Sequence, residues 1–278
     1  MRIGGKNLDL QGLHRWVERA FNPGLRKAHE IERQAWRAQQ NGRESIPVEG
    51  CETCFRDPFH LGILYRQIFV DCVYDFDTTE AAPVIIDCGG NIGLGTIRMK
   101  RRHPAARVYA FEPDPEFAAI FEKNVKSAGL SDVRITQAAV WSSTGTMRFK
   151  QDGGLAGHLD IDGGSKGIDV PTFRLRDLLS APVDFLKIDI EGAELEVLRD
   201  CADLLGNVRR LFVESHTYAG RGQNLDEILA ILRKAGFRYW LGTVEGPRTL
   251  LSGVAHVPGV LEMCVNVTAT RDGEIPPV

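Results

Sequence analysis

The stretch that decides the fold reads Val84-Ile85-Ile86-Asp87-Cys88-Gly89-Gly90-Asn91-Ile92-Gly93-Leu94-Gly95-Thr96. Residues 84–87 are typical of a buried strand, and residues 92–100 have the pattern of a helix. Glycines crowd the turn between them, where the backbone can adopt positive φ angles and approach a ligand closely. A strand, a glycine turn and a helix in this order predict a site for a nucleotide-like ligand. An ordinary strand-to-helix turn of an α/β protein is the alternative.

The residues of the turn favour one class of ligand. A dinucleotide-binding turn has the pattern G-x-G-x-x-G, but the G-x-G here is Gly93-Leu94-Gly95, and Arg98 occupies the position of the third glycine. Asp87 ends the strand, where a carboxylate would repel a pyrophosphate and attract a cation. S-adenosylmethionine carries a sulfonium and an α-ammonium group and no phosphate. The turn therefore favours this cofactor over a nicotinamide cofactor.

Length, composition and charge set broad limits on the class of protein. The chain has 278 residues, a hydrophobic fraction of 43% and a formal net charge of −3. These values are ordinary for a globular protein and give no electrostatic signature of binding to nucleic acid or to an anionic membrane. No apolar run approaches the ~20 residues of a membrane span, and the first residues lack the apolar segment of a signal peptide. We therefore expect a cytoplasmic protein.

The six cysteines of the chain are scattered, and in a cytoplasmic protein we expect them to be free thiols. Cys51-Glu52-Thr53-Cys54 is a single C-x-x-C pair, with His60 as the nearby candidate for a further ligand. A structural zinc site needs four ligands. We therefore expect neither a metal nor a redox role at this pair.

The chain divides into four predicted segments. These are a helical N-terminal extension, a lead-in or cap segment, the main α/β domain and a polar tail, which span residues 1–47, 48–83, 84–270 and 271–278. In the extension, helices over residues 8–21 and 25–40 flank the break Asn22-Pro23-Gly24. In the main domain, residues 151–169 are rich in glycine and are predicted to form a loose substrate loop.

From residue 84 onward, strand and helix patterns alternate, which predicts a mostly parallel sheet with helices on both faces. The second strand, residues 107–111, ends in Glu112-Pro113-Asp114. An acid at this place, about twenty residues after the glycine turn, can accept hydrogen bonds from the ribose hydroxyls of a nucleoside. Glu112 is the candidate, because Asp114 is better placed to cap the next helix. The third strand, residues 133–140, contains Gln137 and Ala138, where an adenine ring could lie.

Two later strands end in ionisable side chains. Residues 185–188 lead into Asp189-Ile190-Glu191, and residues 209–214 lead into Glu214-Ser215-His216. The carboxyl ends of parallel strands meet at one edge of a sheet, where ligands bind. We therefore expect these groups to lie beside the ligand of the glycine turn.

Three motifs occur in the order that is found in one protein family. They are the runs D-C-G-G-N-I-G at residues 87–93, F-E-P-D-P at 111–115 and D-F-L-K-I-D-I-E-G-A-E at 184–194. Over residues 84–240 the chain resembles the FkbM-type family of S-adenosylmethionine-dependent methyltransferases. The resemblance implies a class I (Rossmann-like) α/β fold with a seven-stranded, mostly parallel sheet whose last strand is antiparallel. It also implies that residues 84–270 methylate a hydroxyl of a sugar, glycolipid or natural-product small molecule.

The resemblance assigns cofactor contacts to the glycine turn, to Glu112 and to the end of the third strand. Substrate choice is expected to depend on residues 1–47 and 151–169, which lie outside the motifs. The residues expected to contact S-adenosylmethionine are Asp87, Gly89, Gly90, Asn91, Gly93, Glu112, Pro113, Gln137, Ala138 and Asp189.

An alcohol becomes a good nucleophile when a base takes its proton in the transition state. His216 titrates near neutrality and is our hypothesis for this base, with Asp189 and Glu191 orienting the acceptor or the cofactor. In the alternative hypothesis, Asp189, Glu191 and His216 hold a divalent metal ion that acidifies the acceptor hydroxyl. A further alternative gives Glu191 only the role of stabilising the start of the following helix.

Other functions remain as alternatives, because a fold does not determine a function. The acceptor could be a peptide amine or carboxylate, or the chain could be a nicotinamide-dependent oxidoreductase or a binding protein without catalysis. Arg98 and Asp87 count against the oxidoreductase, and the acids at the strand ends count against the binding protein. We expect a small-molecule or glycan acceptor and no nucleic acid partner. The helical N-terminus is compatible with a homodimer.

Overall fold

The computed structural model describes residues 2–3, 6–7, 22–151, 157–161, 163, 166–220, 222–242 and 261–271. Internal contacts divide the chain into two compact units, Met1–Val73 and Tyr74–Val278. This boundary lies within the predicted lead-in segment. The division into four segments stays a prediction.

The described part of the first unit contains two pairs of short strands and two helices. The antiparallel pairs are β1 (Arg2–Ile3) with β2 (Lys6–Asn7), and β3 (Ser45–Val48) with β4 (Cys51–Cys54). The helices are α1 (Pro23–Gln40) and α2 (Pro58–Tyr65), and a π-helical turn follows α2 over Arg66–Val70.

Helix α1 confirms the predicted helix at residues 25–40 and begins two residues earlier. Asn22 caps it, because its side chain accepts hydrogen bonds from the N–H groups of Gly24 and Leu25 at 2.9 and 3.2 Å. The helix predicted over residues 8–21 lies outside the described residues. All six cysteines are free thiols. Within the described ranges, no group of three candidate metal ligands includes Cys51 or Cys54.

The second unit is an α/β structure. Its strands, in chain order, are β5 (Val84–Cys88), β6 (Arg107–Phe111), β7 (Val133–Thr136), β8 (Ala139–Trp141), β9 (Gly145–Lys150), β10 (His158–Leu159), β11 (Ile168–Arg174), β12 (Val183–Ile188), β13 (Val208–Tyr218), β14 (Phe237–Leu241) and β15 (Leu261–Arg271). Its helices are α3 (Leu94–Arg102), α4 (Pro115–Ser127), α5 (Glu194–Cys201) and α6 (Leu225–Lys234), with 3-10 turns at Leu175–Leu178 and Leu205–Asn207.

Seven of these strands form the main sheet, in the order β14-β15-β13-β12-β5-β6-β7. Neighbouring strands from β13 to β7 are parallel, whereas β15 pairs antiparallel with both β13 and β14. This arrangement confirms the predicted seven-stranded, mostly parallel sheet with an antiparallel last strand. Strand β12 lies at its centre, and all six of its residues are buried. A strand covered on both faces needs a nearly continuous apolar run, which residues 183–188 supply except at Asp184 and Lys187.

The third strand is shorter than predicted. The chain turns at Gln137, where the N–H of Ala138 donates to the carbonyl of Thr136 at 2.9 Å, so β7 ends at Thr136. The following residues form β8, which leaves the main sheet and pairs in parallel with β11. The prediction of one strand over residues 133–140 is therefore wrong, because a tight turn divides it.

A four-stranded sheet in the order β10-β9-β11-β8 stands beside the main sheet. Strand β10 pairs antiparallel with β9, and β11 already begins at Ile168. The prediction of a loose loop over all of residues 151–169 is therefore too wide. Among the described residues, no helix is both long and apolar enough to cross a membrane.

Candidate active site

The glycine turn after β5 is shaped by contacts inside the protein. Gly89 has a φ of +85°, and a Cβ atom added to it would lie 1.8 Å from the carbonyl oxygen of Asp189. Added Cβ atoms at Gly90 and Gly93 would lie 2.3 and 2.1 Å from the ring of Phe121. The glycines are therefore required for close packing on the end of β12 and on α4. Their predicted contacts with a ligand stay predictions.

Backbone hydrogen bonds join this turn to the end of β6. The N–H groups of Gly89 and Gly90 donate to the carbonyl of Phe111 at 3.0 and 2.8 Å. Asn91 has a φ of +49°, and its N–H donates to a carboxylate oxygen of Glu112 at 2.8 Å. The turn is therefore fixed from one side by the segment that the sequence assigns to ribose binding.

Glu112 is a buried carboxylate with two backbone partners. Its second oxygen accepts a hydrogen bond from the N–H of Asp114 at 2.9 Å, and Asp114 in turn caps α4 through the N–H of Glu116. Burial raises the pKa of Glu112 to about 7, against the opposing effect of the two backbone hydrogen bonds. A carboxylate offers about four lone pairs. Two of them face the backbone, so Glu112 keeps acceptor capacity for ribose hydroxyls.

The remaining residues predicted to contact the adenosine lie at the ends of β6 and β7. The N–H of Glu112 donates to the carbonyl of Thr136 at 3.2 Å, which holds the two strand ends together. Pro113 is half-buried, Gln137 is exposed and Ala138 is buried. Gln137 thus offers an accessible polar side chain, whereas Ala138 offers only a small, buried apolar side chain.

Asp87 is buried, and its charge is compensated. One carboxylate oxygen accepts a hydrogen bond from the hydroxyl of Thr96 at 2.7 Å, and the other lies 3.2 Å from the ammonium nitrogen of Lys187. The sequence predicts that the carboxylate of Asp87 repels a phosphate and attracts a cation. In the structure its field is largely neutralised, so the electrostatic reason against a phosphate at this position is weaker than predicted. Its contact with the cofactor stays a prediction.

A cluster of ionisable side chains, which we call the rim cluster, lies at the carboxyl ends of β12 and β13. It consists of Asp189, Glu191, Glu194, Glu214 and His216. His216 is buried at its centre: Nδ1 lies 3.0 Å from a carboxylate oxygen of Glu194, and Nε2 lies 3.4 Å from Glu191 and 3.8 Å from Glu214. The structure therefore brings the three predicted catalytic residues together.

The protonation of the rim cluster differs from the one that the sequence suggests. Burial disfavours the charged form of His216, but Glu194, the thiol of Cys264 and Glu191 outweigh this effect and raise its pKa well above the ordinary value. Burial also raises the pKa of Glu191 to about 8 and that of Glu214 to about 7, although His216 lowers both. His216 thus holds its proton more tightly than a free imidazole does.

Glu191 occupies an unusual backbone position. Its φ is +55°, a region that a non-glycine residue enters at an energetic cost and that recurs at functional sites. The carboxylate of Glu194 supports this turn by accepting hydrogen bonds from the N–H groups of Gly192 and Ile190 at 2.9 and 3.3 Å. The side chain of Glu191 instead accepts a hydrogen bond from the hydroxyl of Tyr218 at 2.7 Å. Helix α5 begins with Glu194, so the start of this helix does not account for Glu191.

The alternative metal site also has a geometric basis. Asp189, Glu191 and His216 each offer one ligand atom, and these atoms lie within 4.8 Å of one another. Glu214, His216 and Cys264 form a second group of the same kind. Carboxylate and imidazole ligands suit a divalent cation. The three side chains are therefore close enough to share one divalent cation.

Sequence reasoning assigned no role to Lys187, Glu194 and Tyr218. Lys187 and Glu194 belong to the most specific motif, but their partners come from other segments of the chain. Tyr218 could have been found, because Glu214, His216 and Tyr218 alternate along one strand and so share a face. The predicted strand ended at residue 214, whereas β13 continues to Tyr218.

Comparison with known proteins identifies similar sequences and structures. A family model described as "Methyltransferase FkbM domain" matches residues 87–239. Methyltransferase sdnD of Sordaria araneosa is 30% identical over 212 residues, which cover 63% of this chain and 81% of that protein. The 2-O-methyltransferase NoeI of Sinorhizobium fredii is 28% identical over 154 residues, which cover 48% of this chain and 63% of that protein.

Among solved structures, a methyltransferase FkbM from Methylobacillus flagellatus KT aligns with a TM-score of 0.44 and 15% identity. The alignment covers 84% of this chain and 59% of that chain.

Proposed function

We propose that this chain, which belongs to the FkbM methyltransferase domain family, transfers the methyl group of S-adenosylmethionine to a hydroxyl of a sugar, glycolipid or natural-product small molecule. The observation that carries the proposal is the position of His216. Its Nδ1 is held by the buried carboxylate of Glu194, and its Nε2 lies 3.4 Å from a carboxylate oxygen of Glu191, which follows the carboxyl end of β12, where ligands bind in α/β sheets. The similarity to a protein named as a 2-O-methyltransferase supports a hydroxyl acceptor.

The residues at the strand ends fit this cofactor. Glu112 keeps lone pairs for the ribose hydroxyls, Gln137 and Ala138 would border the adenine, and the glycine turn and Asp189 would lie beside the methionine part. When bound, S-adenosylmethionine supplies an electrophilic methyl group together with its own leaving group. The protein has to place the acceptor oxygen in line with that group and to take up its proton.

His216 takes up this proton in our proposal. When the neutral imidazole donates Nδ1–H to Glu194, the lone pair of Nε2 is free to accept a proton, as in other carboxylate–histidine pairs. Nε2 of His216 would accept the O–H proton of the acceptor while the acceptor oxygen attacks the methyl group that the bound cofactor supplies with its own leaving group. The nearby carboxylates of Glu191 and Glu214 then stabilise the imidazolium. Because the pKa of His216 is raised, it can act as the base only in its neutral form, whose population grows as the pH rises.

Asp189 and Glu191 have positioning roles in this scheme. Glu191 is fixed by Tyr218 and by its own constrained backbone, and Asp189 is fixed from the side of the glycine turn. Each keeps oxygen atoms that can accept a hydrogen bond from the acceptor or from the ammonium group of the cofactor.

The metal hypothesis uses the same side chains and differs in one measurable respect. If Asp189, Glu191 and His216 held a divalent cation, turnover would be lost in a chelator and restored by magnesium or manganese. Full turnover in the chelator would exclude this variant of the mechanism. Membership in a methyltransferase family leaves no basis for the nicotinamide-dependent alternative. The alternative of a peptide acceptor is tested by including short peptides among the substrates.

The test combines binding and turnover. Isothermal titration measures the affinity for S-adenosylmethionine, and methyl-labelled cofactor is then offered with hydroxylated sugars, glycolipids, polyketides and short peptides. We expect binding, and label transfer to a hydroxylated acceptor. No binding of the cofactor would refute the proposal, and transfer to peptides alone would refute the hydroxyl acceptor.

The base is tested with the variant His216→Asn. It should bind the cofactor like the wild type and lose turnover by about 10²–10⁴-fold. The control is Glu227→Gln, which removes a half-exposed carboxylate that pairs with Arg199 away from the rim cluster. Wild-type turnover in His216→Asn would contradict the role of His216 as base.

A further inference from the structure

Lys187 is a buried lysine at the centre of the main sheet. Its side chain is 3% exposed, and it lies in β12 between the buried residues Leu186 and Ile188. Lysine is almost never buried completely unless it is paired. The partners of Lys187 therefore indicate why the sheet tolerates it.

The ammonium group of Lys187 faces four oxygen atoms. It donates to the carbonyl of Gly89 at 2.7 Å and to that of Cys88 at 3.3 Å. It also lies 3.2 Å from a carboxylate oxygen of Asp87 and 3.3 Å from one of Asp189. The ring of Tyr74 lies 5.3 Å away. These oxygens belong to the end of β5, to the glycine turn and to the end of β12.

The same three segments touch one another directly. The carbonyl oxygen of Asp189 lies only 1.8 Å from the position that a Cβ atom on Gly89 would take. The N–H of Asp189 donates to the carbonyl of Cys88 at 3.2 Å. A shift of the glycine turn would therefore move Asp189, and the reverse also holds. Without a cation between them, the carboxylates of Asp87 and Asp189 would repel each other across this contact.

We propose that Lys187 is a positioning residue that fixes the glycine turn and Asp189 relative to each other, so that both meet one bound cofactor. The inference rests on the proposed function, because it assigns the two fixed segments to S-adenosylmethionine. Lys187 itself acts through its neighbours: its ammonium group is directed at the two backbone carbonyls and the two carboxylates.

A double-mutant cycle tests this role through the affinity for S-adenosylmethionine, measured by isothermal titration. The variants are Lys187→Met, Asp189→Asn and the two combined. Lys187→Met should weaken binding of S-adenosylmethionine by about 10–100-fold. This is the range found at metal sites when residues that orient the metal-binding side chains are removed. In the Asp189→Asn background the same change should have at most a few-fold effect, because the carboxylate that Lys187 holds has lost its charge.

Lys100 provides a matched control. It is another buried lysine, 2% exposed, and its ammonium group donates to the carbonyls of Pro104 and Ala106 at 2.7 and 2.8 Å. Lys100→Met should lower the melting temperature and leave the affinity for the cofactor unchanged. All affinities are measured at a temperature where circular dichroism shows each variant to be folded.

The outcomes separate the two proposals. If Lys187→Met has the same effect with and without Asp189, or has no effect on affinity, Lys187 only neutralises charge in the core and the inference fails. If the wild type does not bind S-adenosylmethionine, the proposed function itself fails. If Lys187→Met does not fold, the cycle is repeated with Asp87→Asn in every variant, since removing both members of that buried pair leaves no unpaired charge between them.

Discussion

The glycine turn and the rim cluster lie side by side but are built differently. In the turn, the N–H groups of Gly89, Gly90 and Asn91 have backbone or Glu112 partners, and the glycines fill positions where no side chain fits. In the rim cluster, four carboxylates surround the single imidazole of His216, and burial raises the pKa values of Glu191 and Glu214. The turn is thus held in place by close packing and hydrogen bonds, whereas the rim cluster is held together by electrostatic interactions between His216 and the surrounding carboxylates.

This difference has a physical meaning. A packed and hydrogen-bonded turn contributes to stability, and changes in it should first be seen in unfolding. A cluster of buried carboxylates with raised pKa values is maintained at a cost to stability, which is typical of functional sites. Changes in the rim cluster should therefore affect turnover more than unfolding.

The largest effect is expected for Glu194→Gln in the rim cluster. The amide can still accept the hydrogen bonds from Gly192 and Ile190, but it no longer carries the charge that holds His216. We expect kcat to fall by about 10³-fold, within the range for loss of acid–base catalysis. The affinity for S-adenosylmethionine should be unchanged, and the free energy of unfolding should change by less than about 1.5 kcal/mol.

Steady-state kinetics, isothermal titration and urea unfolding measure these three quantities. Glu227→Gln, at a half-exposed carboxylate away from the rim cluster, is the control. A Glu194→Gln variant that unfolds far more easily than the wild type, yet turns over normally when folded, would remove the contrast between the two regions.

A smaller effect is expected for Gly89→Ala in the glycine turn, and it should appear in stability. The added Cβ atom would lie 1.8 Å from the backbone oxygen of Asp189, and the alanine would also have to adopt the positive φ of Gly89. We expect the free energy of unfolding to fall by about 3 kcal/mol, at the upper end for overpacking and backbone strain.

Gly129→Ala is the matched control for this variant, because Gly129 has a φ of +64° and no atom within 4 Å of an added Cβ. This variant has the backbone strain of a positive φ without the steric clash, so we expect its free energy of unfolding to fall by about 1 kcal/mol. Urea unfolding of both variants measures the two losses of stability. Equal losses would mean that the close contact between the turn and Asp189 is not what requires glycine.

The two regions also differed in what the sequence could predict. The turn is local: its strand, glycines and helix are adjacent in the chain, and β5 and α3 were found within two residues. The rim cluster is assembled from the end of β12, the start of α5 and β13. The sequence located Asp189, Glu191 and His216 at strand ends, but the raised pKa of His216 depends on Glu194, whose proximity only the folded chain creates. The end of β7 at Thr136 was missed because a single backbone turn at Gln137 interrupts an otherwise strand-like run.

The last and most gradual effect concerns Glu112, which joins the turn to β6, and it takes the form of a pH dependence. Its pKa is raised by burial from the ordinary 4.5 to about 7, so between these values the folded protein binds more protons than the unfolded chain. The contribution of Glu112 to stability should then be highest below pH 4.5, fall as the pH rises towards 7 and remain level above it. We expect this group to account for a loss of roughly 3 kcal/mol across the window.

Glu112→Gln isolates this contribution, because glutamine has nearly the same shape and does not titrate. The variant leaves one backbone N–H without its acceptor, which lowers stability by a constant amount at every pH. Urea unfolding at several pH values should therefore give a wild-type curve that falls more steeply than that of Glu112→Gln between pH 5 and 7. Parallel curves would show that Glu112 ionises in the folded protein as it does in the unfolded chain. Its carboxylate would then belong to the well-compensated groups of the turn, and the contrast with the rim cluster would become sharper.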